Sequence, residues 1–366
     1  MPDASAPFLW ASSALVLSAL ATAASIAYAR RRRLIDEPGM RRSHSVPTPR
    51  GGGIGIVIAI VVCGLLPSIA HAPFEYRFPL GWLIPGVVGI ALVGWIDDHG
   101  DLSAGKRFAM HCAAALWTFV VPLLPFAALG PFVADLTPAL SAFLIAGALV
   151  AALATVWSIN LHNFMDGIDG ILSLQSIFVF WTLAALFARA VDVATAWQLT
   201  LWAAAVLGFV PFNFPRARVF MGDVGSGVLG FLIAIAVIWQ ILTPRIAAAT
   251  GIVACSAFVT DATCTLVSRM VSGRRWYSAH REHLYQWLVR CGHTHARVVA
   301  FYMGWNLLIV LPVMFWMNRS MPMQAGAAPS GIGAAALVYA LAVVVWIVGK
   351  RRCIAAARAR GVHAAA

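Results

Sequence analysis

Apolar stretches long enough to cross a bilayer recur from one end of this chain to the other. Each runs for about 18–22 residues between charged residues, turn residues or prolines, which is the length a helix needs to span the hydrocarbon core. Because a backbone inside lipid must satisfy its own hydrogen bonds, helices are the expected structure. We predict an all-α polytopic membrane protein with about eleven transmembrane helices, at 8–29, 52–70, 79–96, 108–126, 138–157, 171–188, 196–212, 224–242, 246–267, 298–317 and 331–349.

The amino-acid composition supports the same class of protein. Hydrophobic residues make up 61% of the chain and charged residues 11%, whereas soluble domains average roughly 45–50% apolar and about 25% charged residues. This composition excludes a soluble enzyme, a disordered chain and a disulfide scaffold. The predicted spans leave only short loops, so we interpret residues 1–366 as a single integral membrane domain.

The basic residues predict how the chain is oriented in the membrane. All but four of the 26 Lys and Arg residues fall in one alternating set of predicted loops. By the positive-inside rule that set is cytoplasmic, so the N-terminus faces outward and the C-terminus faces the cytoplasm. The net charge of +12 is then mainly a topology signal, and we expect no nucleic-acid partner. Arg30 to Arg33 follow the first apolar stretch, which favours a retained helix over a signal peptide.

Acidic residues concentrate on the predicted cytoplasmic side. This placement is independent of the Lys and Arg residues that gave the orientation. A carboxylate at the edge of the hydrocarbon is expensive unless it has a cation partner. The sequence therefore predicts a divalent-metal or phosphate-handling site at this face, among nine of the 14 acids: Asp36, Glu37, Asp97, Asp98, Asp101, Asp166, Asp169, Asp223 and Glu282.

The first acidic motif lies at the end of the third predicted helix, where Asp97 and Asp98 are adjacent. Neighbouring carboxylates repel each other, so a bound cation or a proton-transfer role is the natural reason to keep both. Lys106 and Arg107 follow and could hold a phosphate. The alternative is a solvated helix end followed by ordinary topological anchors.

The second motif places a polar residue at every third position: Asn160, Asn163, Asp166 and Asp169. Neighbouring members of such a series share a face on a helical turn. Two amides and two carboxylates in a loop without Lys or Arg are good ligands for a sugar, a base or a metal. A purely structural use of so many polar groups beside hydrocarbon is the weaker interpretation.

The third motif comprises Asn213 and the segment Phe220–Gly227, which opens the eighth predicted helix around Asp223. Small residues at a helix N-terminus offer backbone N–H groups to a phosphate, and Asp223 would be free to bind its metal. The alternative is that Asp223 is merely the N-cap of this helix.

The fourth motif is the basic loop that contains His280 and His283, which could share a helix face and meet an anionic substrate. A plain basic surface loop is the alternative. A zinc site that adds His293 and His295 is weakly supported, because soft ligands at finger-like spacing are absent. Asp261 lies inside the ninth predicted helix, as either a functional acid or a stabilising partner within the bundle.

Together these motifs resemble the polyprenyl-phosphate N-acetylhexosamine-1-phosphate transferases, glycosyltransferase family 4. The resemblance covers most of the chain, in the order that the family shows. Its matching segments are Arg42-Ser43-His44, Pro47–Gly53, Asp97-Asp98, Asn160–Gly170, Phe220–Ser226 and the His280–His283 loop.

The resemblance implies a bacterial inner-membrane transferase with a periplasmic N-terminus and a cytoplasmic active site. It would transfer N-acetylhexosamine-1-phosphate from a UDP-sugar to undecaprenyl phosphate and release UMP. Mg²⁺ would be required, with Mn²⁺ as an alternative, and a homodimer is a weak expectation. The reaction would proceed by direct attack of the lipid phosphate or through a covalent aspartyl intermediate on Asp97.

The residue roles that the resemblance implies follow the motifs. Asp97, Asp98, Asp223, His280 and His283 would be catalytic, with Asp223 and Asp98 as metal ligands and Asp97 acting on the lipid phosphate. The substrate-binding residues would be Asn160, Asn163, Asp166, Asp169, Asn213, Phe220, Lys106 and Arg107, with Phe220 stacked on uracil.

The histidine loop departs from one branch of the family. The phospho-MurNAc-pentapeptide transferases carry adjacent histidines there, whereas His280 and His283 are separated. This favours the branch that starts O-antigen or related envelope glycans and leaves the peptidoglycan enzyme as an alternative, with the sugar open. A transporter or flippase of lipid-linked sugars is the alternative from a different class. A CDP-alcohol phosphotransferase is disfavoured, because Gly170-Ile171 follow Asp169.

Overall fold

The computed structural model describes residues 6–37, 46–65, 80–100, 102–123, 138–274, 280–319 and 330–359. Asp101 and Arg42-Ser43-His44 lie outside these residues. The described chain is helical apart from one pair of two-residue strands, which confirms the all-α class. Its regular elements are α1 Ala6–Arg32, β1 Ile35–Asp36, β2 Thr48–Pro49, α2 Ile54–Ile60, α3 Ile84–His99, α4 Ala104–Phe119, α5 Pro138–Met165, α6 Ile171–Arg189, α7 Val193–Asn213, α8 Gly222–Leu242, α9 Thr250–Ala254, α10 Ser256–Val271, α11 Leu284–Arg290, α12 His295–Trp305, α13 Leu311–Met317 and α14 Ile332–Ala359.

Every apolar stretch predicted from the sequence contains helix in the described residues. By length and hydropathy, 8 of the helices there could cross a membrane: Phe8–Arg32, Gly81–His99, Leu140–Met165, Ile171–Arg189, Val193–Asn213, Gly222–Leu242, His295–Met317 and Ile332–Ala359. The last-but-one continues from α12 through a π-helical turn at Asn306–Val310 into α13. The chain is therefore a multi-pass membrane protein.

The count of eleven spans and the orientation stay predictions. The stretch 52–70 is described only to residue 65, and 108–126 corresponds to α4, which has 16 residues. The stretch 246–267 is divided at Cys255, between α9 and α10. In the described residues, the helices of these three stretches are shorter than the roughly 20 residues that a single span needs.

α8 forms the centre of the helical bundle, and glycines let its neighbours reach its backbone. A Cβ at Gly94 of α3 would collide with the backbone of Asp223 and Val224 at the start of α8. Gly53, just before α2, faces Gly225 in the same way. Because these contacts are made by backbone, the first turn of α8 is held at a fixed height against α2 and α3.

The two short strands lie between α1 and α2 in the sequence, next to the start of α8. β1 and β2 pair antiparallel, with Ile35 opposite Pro49. Beyond β2, Phe220 N–H donates to the Pro49 carbonyl at 2.8 Å, and Gly52 N–H donates to the Phe220 carbonyl at 2.9 Å. The segment between β2 and α2 is thereby bound to the segment that enters α8.

Candidate active site

Arg107 joins the first acidic motif to the third. Its Nη1 atom lies 2.7 Å from Asp97 Oδ2 and 3.0 Å from Asp223 Oδ2. Asp97 lies in the last turn of α3, and its other oxygen accepts a hydrogen bond from Leu102 N–H at 2.9 Å. This hydrogen bond holds the turn from α3 to α4 against Asp97. Arg107, in the first turn of α4, therefore lies between the carboxylates of Asp97 and Asp223.

Asp223 is also held from the side of α5. Asn163 Nδ2 donates to Asp223 Oδ1 at 2.9 Å and to Ser226 Oγ at 3.0 Å. The Asp223 side chain does not cap its own helix, which begins at Gly222 without a side-chain cap. The interpretation of Asp223 as a mere N-cap is therefore wrong.

Asp98 lies directly beside Asp223 and keeps one oxygen unused. Its Oδ1 atom accepts from Asp223 N–H at 3.4 Å. Its Oδ2 atom is buried and has no hydrogen-bond partner among the residues described. Gly222 has φ +74°, and a Cβ there would collide with this oxygen, so the backbone leaves room around it. A buried carboxylate oxygen without a donor is costly unless a cation or another donor meets it.

A cavity of about 260 Å³ opens next to Asp98 and Asp223. Seven of the predicted site residues line it, namely Asp98, Asn163, Asp166, Asp169, Asn213, Phe220 and Asp223. Arg50 and His295 also line it, although the sequence interpretation assigned neither to substrate. The structure therefore brings the second and third motifs together around one space.

Asp166 and Asp169 occupy the turn between α5 and α6, on the wall of this cavity. Burial, and then the charges of Asp223, Asp98 and Asp169, raise the pKa of the Asp166 carboxyl well above its usual range. Asp169 is held at both oxygens, by His295 Nδ1 at 3.2 Å and by Ala217 N–H at 3.1 Å. The wall of the cavity therefore carries more acidic side chains than basic ones.

Two predicted binding residues use their amides within the protein. Asn160 Nδ2 donates to the Val156 carbonyl of its own helix at 2.7 Å, and the side chain is not among those around the cavity. Asn213 reaches the cavity, but its Oδ1 accepts from Gly170 N–H at 3.0 Å and its Nδ2 donates to the Val219 carbonyl at 3.1 Å. Asn213 thus braces the loops that form the wall.

Within the described chain, the cavity wall does not include five further predicted residues, namely Asp97, Lys106, Arg107, His280 and His283, although Arg107 contacts Asp223 on that wall. Lys106 is exposed on the first turn of α4. His283 is buried, 3.9 Å from Asp261 Oδ1, and its ring centroid lies 4.9 Å from that of His280. Burial lowers the pKa of the His280 ring to about 4 and also lowers the pKa of the His283 ring, which favours the neutral form of each ring. These histidines are therefore poor anchors for an anion.

The histidine on the cavity wall is His295, at the start of α12. Thr294 caps this helix by accepting from Arg297 N–H at 3.3 Å. The sequence analysis did not assign His295 to this site, because the Thr294 cap indicates only that a helix begins here. The four-histidine zinc interpretation is wrong, because His295 pairs with Asp169 while His293 packs against Phe301.

The metal ligands predicted from the resemblance form a pair and not a complete cage. No group of three or more His, Cys, Asp or Glu able to hold a metal occurs in the part of the chain that the structure describes. Mg²⁺ commonly uses one or two protein carboxylates and completes its octahedron with phosphate oxygens and water. The unpaired oxygen of Asp98 beside Asp223 fits that kind of site.

Comparison with known proteins agrees with this geometry. The family model of Glycosyl transferase family 4 matches residues 80–241, which run from the start of the third span through most of α8. The decaprenyl-phosphate N-acetylglucosaminephosphotransferase of Mycobacterium tuberculosis (strain ATCC 25618 / H37Rv) is 30% identical over 332 residues, covering 80% of this chain and 78% of that protein. The protein of the same name from Mycobacterium leprae (strain TN) is 28% identical, covering 80% and 79%. The undecaprenyl-phosphate alpha-N-acetylglucosaminyl 1-phosphate transferase of Escherichia coli (strain K12) is 26% identical, covering 71% and 70%.

The fold and the carboxylate-lined cavity define a polytopic membrane phosphotransferase. The chain belongs to the polyprenyl-phosphate N-acetylhexosamine-1-phosphate transferases of glycosyltransferase family 4. It transfers a sugar-1-phosphate to a polyprenyl phosphate, and neither the peptidoglycan alternative nor the transporter alternative is favoured.

Proposed function

We propose that this enzyme transfers N-acetylhexosamine-1-phosphate from a UDP-sugar to undecaprenyl phosphate at the cytoplasmic face of a bacterial inner membrane. The reaction would release UMP and be the first membrane step of O-antigen or related envelope glycan synthesis. The observation that carries this proposal is the unpaired Asp98 oxygen beside Asp223 in the 260 Å³ cavity. The names of the curated relatives support GlcNAc as the sugar to test first.

The proposed chemistry exchanges one phosphoanhydride bond for another. An oxygen of the lipid phosphate attacks the β-phosphorus of the UDP-sugar, and the bond from this phosphorus to the α-phosphate oxygen breaks. The electron pair leaves with UMP, and the sugar stays attached to the phosphorus that is transferred. Because two anions must meet, the site has to supply positive charge.

Asp98 and Asp223 would hold the Mg²⁺ ion, with Mn²⁺ as an alternative. When bound, the ion screens the repulsion between the phosphates and stabilises charge on the leaving phosphate. Arg107 would add a second positive charge beside the ion, because its guanidinium already lies between Asp97 and Asp223. A guanidinium there can turn toward phosphate oxygens while staying paired with a carboxylate.

Asp97 would orient the lipid phosphate or accept its remaining proton. Both of its oxygens are engaged, one by Leu102 N–H and one by Arg107. An oxygen held in this way is a weak nucleophile, which favours direct attack by the lipid phosphate over a covalent intermediate on Asp97.

The donor nucleotide would occupy the remainder of the cavity. Asn163, Asp166 and Asp169 line its wall, and Phe220 offers an aromatic face for uracil. Arg50 lines the same cavity, where it would meet the diphosphate. The bias of Lys and Arg toward one set of loops supports a cytoplasmic location for this site.

A transfer assay with purified protein tests the proposal directly. Undecaprenyl phosphate, Mg²⁺ and a panel of radiolabelled UDP-sugars would be supplied, and lipid-linked sugar phosphate and UMP would both be measured. We expect equal amounts of the two products with a UDP-N-acetylhexosamine. Asp223→Asn serves as the inactive control. No transfer with any UDP-N-acetylhexosamine, or sugar transfer that releases UDP, would overturn the proposal.

A further inference from the structure

Asp261 is a buried acid on α10 that the proposed reaction does not use. Its side chain is 2% exposed. Its Oδ1 accepts from Leu284 N–H at 2.7 Å, and its Oδ2 accepts from Tyr285 N–H at 3.3 Å. These are the first two amides of α11, which have no acceptor inside their own helix. A carboxylate from another helix therefore fixes where the short α11 begins.

The same carboxylate gathers donors from two further helices. Tyr302 of α12 donates its hydroxyl to Oδ2 at 2.6 Å, and Trp346 of α14 donates Nε1–H to Oδ1 at 3.0 Å. Lys350 lies over the Trp346 ring, with its Nζ 4.5 Å from the ring centroid. Asp261 thus ties α10, α11, α12 and α14 together at one point.

The opposite side of α11 forms part of the wall of the proposed active site. Gln286 lines the 260 Å³ cavity. Tyr285 donates its hydroxyl to the Phe164 carbonyl at 2.9 Å and lies against Gly167, where a Cβ would collide with the hydroxyl. Gly167 belongs to the turn that carries Asp166. A displacement of α11 would therefore move the donor-binding wall directly.

We propose that Asp261 is a positioning residue for the transfer reaction, which sets α11 against the turn that carries Asp166 and Asp169. The predicted effect on the KM for the UDP-sugar rests on the proposed function. Asp261 lies outside the wall of the 260 Å³ cavity and acts through Tyr285 and Gln286.

The chemistry of the contact argues against a purely packing role. Among the described residues, the one ion-pair contact of Asp261 within 4.0 Å is with His283, at 3.9 Å. Lys350 also interacts with this carboxylate electrostatically, but without a hydrogen bond between them in the described residues. Burying a carboxylate with so few direct contacts to cations is expensive, and an apolar side chain would fill the same space at lower cost. An apolar residue cannot accept hydrogen bonds from two helix-initiating amides and from the side chains of Thr265, Tyr302 and Trp346 at once.

Asp261→Asn tests the proposal, because it keeps the shape but turns one acceptor into a donor. Gln240→Met is the matched control, since Gln240 is also fully buried and bonds to Gly251 N–H and the Ala247 carbonyl, away from α11. The KM for UDP-N-acetylglucosamine should rise about three- to tenfold in Asp261→Asn. The kcat and the KM for undecaprenyl phosphate should stay within about twofold, and the control should change only thermal stability.

Hydrogen exchange provides a readout that does not depend on the substrate. Amides of residues 284–287 and 166–170 should lose protection in Asp261→Asn and keep it in Gln240→Met. Tyr302→Phe, which removes one donor to Asp261, is the second variant if Asp261→Asn does not fold, and it should raise the same KM about threefold. Unchanged exchange at both segments, or equal kinetic changes in the control, would overturn the proposal. An inactive wild type with these exchange changes would refute the proposed function and leave the coupling established.

Discussion

Asp97 and Asp223 are separated by 126 positions in the sequence but share one nitrogen of Arg107, at 2.7 and 3.0 Å. Asp97 lies in the last turn of α3 and Asp223 in the first turn of α8, so the guanidinium joins the C-terminal end of one span to the N-terminal end of another. Without it, two carboxylates would face each other next to hydrocarbon, which is an unfavourable arrangement. Arg107 therefore holds the first and third acidic motifs together, and in the proposed reaction it would supply positive charge next to the phosphates.

Arg107→Met should lower kcat by about a hundredfold, because a preorganised donor to the transferred phosphate is lost. Lys106→Met is the matched control. Lys106 is the preceding residue and is exposed, so its removal should change kcat by less than about twofold. Steady-state transfer with both substrates varied is the measurement. Equal effects of the two substitutions would show that the site responds only to local positive charge.

Asp97→Asn and Asp223→Asn should each abolish UMP release. The first removes the group proposed to orient the acceptor, and the second removes a metal ligand that also holds Asn163 at 2.9 Å. UMP formation is measured with a coupled nucleotide assay, and thermal unfolding in detergent confirms that each variant is folded. Full activity in either variant would contradict its assignment.

Asp98→Asn should shift the metal dependence more than it shifts folding. The buried Asp98 Oδ2 atom has no hydrogen-bond partner among the described residues. Replacing the carboxylate by an amide would therefore remove one proposed Mg²⁺ ligand, while Asp223 could still bind the ion. We expect at least about a tenfold increase in the Mg²⁺ concentration for half-maximal transfer. Chelation by EDTA should stop the wild type, with activity restored by Mg²⁺. An unchanged Mg²⁺ titration would exclude Asp98 as a ligand.

Gly94→Ala should disrupt the site through the backbone. A Cβ at this position collides with Asp223 and Val224, so α3 and α8 must separate. We expect a loss of about 1–3 kcal/mol in the free energy of unfolding, accompanied by loss of transfer. Gly89→Ala, in the same helix with nothing within 4 Å of the added Cβ, is the control. It should be neutral or stabilise the helix by about 0.5–1 kcal/mol.

His280 should make the fold sensitive to acid. Burial, followed by the neighbouring His283 and Arg269, lowers the pKa of His280 from 6.5 to about 4. The unfolded chain therefore takes up the proton more readily, and stability that is fully present above pH 6.5 is lost as the pH falls toward 4. His280→Gln should recover about 1–2 kcal/mol of this loss. Thermal melts between pH 4 and 8 measure it, and His99→Gln, which changes an exposed histidine, is the control. An equal acid response in the His280 variant would contradict the prediction.

Hydropathy and motif spacing were sufficient to locate the helices and most of the cavity. Asn163, Asp166, Asp169 and Asp223 were identified because polar groups beside hydrocarbon have few purely structural uses. The prediction that Asn160 and Asn163 lie on one helix is confirmed, because α5 continues to Met165 and contains both residues. These features are local, and local patterns are readable in one sequence.

The sequence could not show which residues far apart in the chain would contact each other. The partner of Asp169 is His295, which lies 126 positions away, and no local pattern connects the two residues. Asn213 has the right chemistry for a ligand, but only the folded backbone reveals that Gly170 and Val219 use its amide. The spacing of His280 and His283 likewise did not show that His283 is buried beside Asp261 of α10, and the catalytic roles of the two histidines stay predictions.

The glycine contacts around the start of α8 have a mechanical consequence. Asp98, Asp223 and Asn163 belong to three different spans, and their relative heights are set by backbone-to-backbone contact. Helix tilt in a membrane responds to the thickness of the bilayer. Because backbone contact fixes these heights, the three spans should tilt as one unit when the bilayer thickness changes, and the distances between these side chains should be kept.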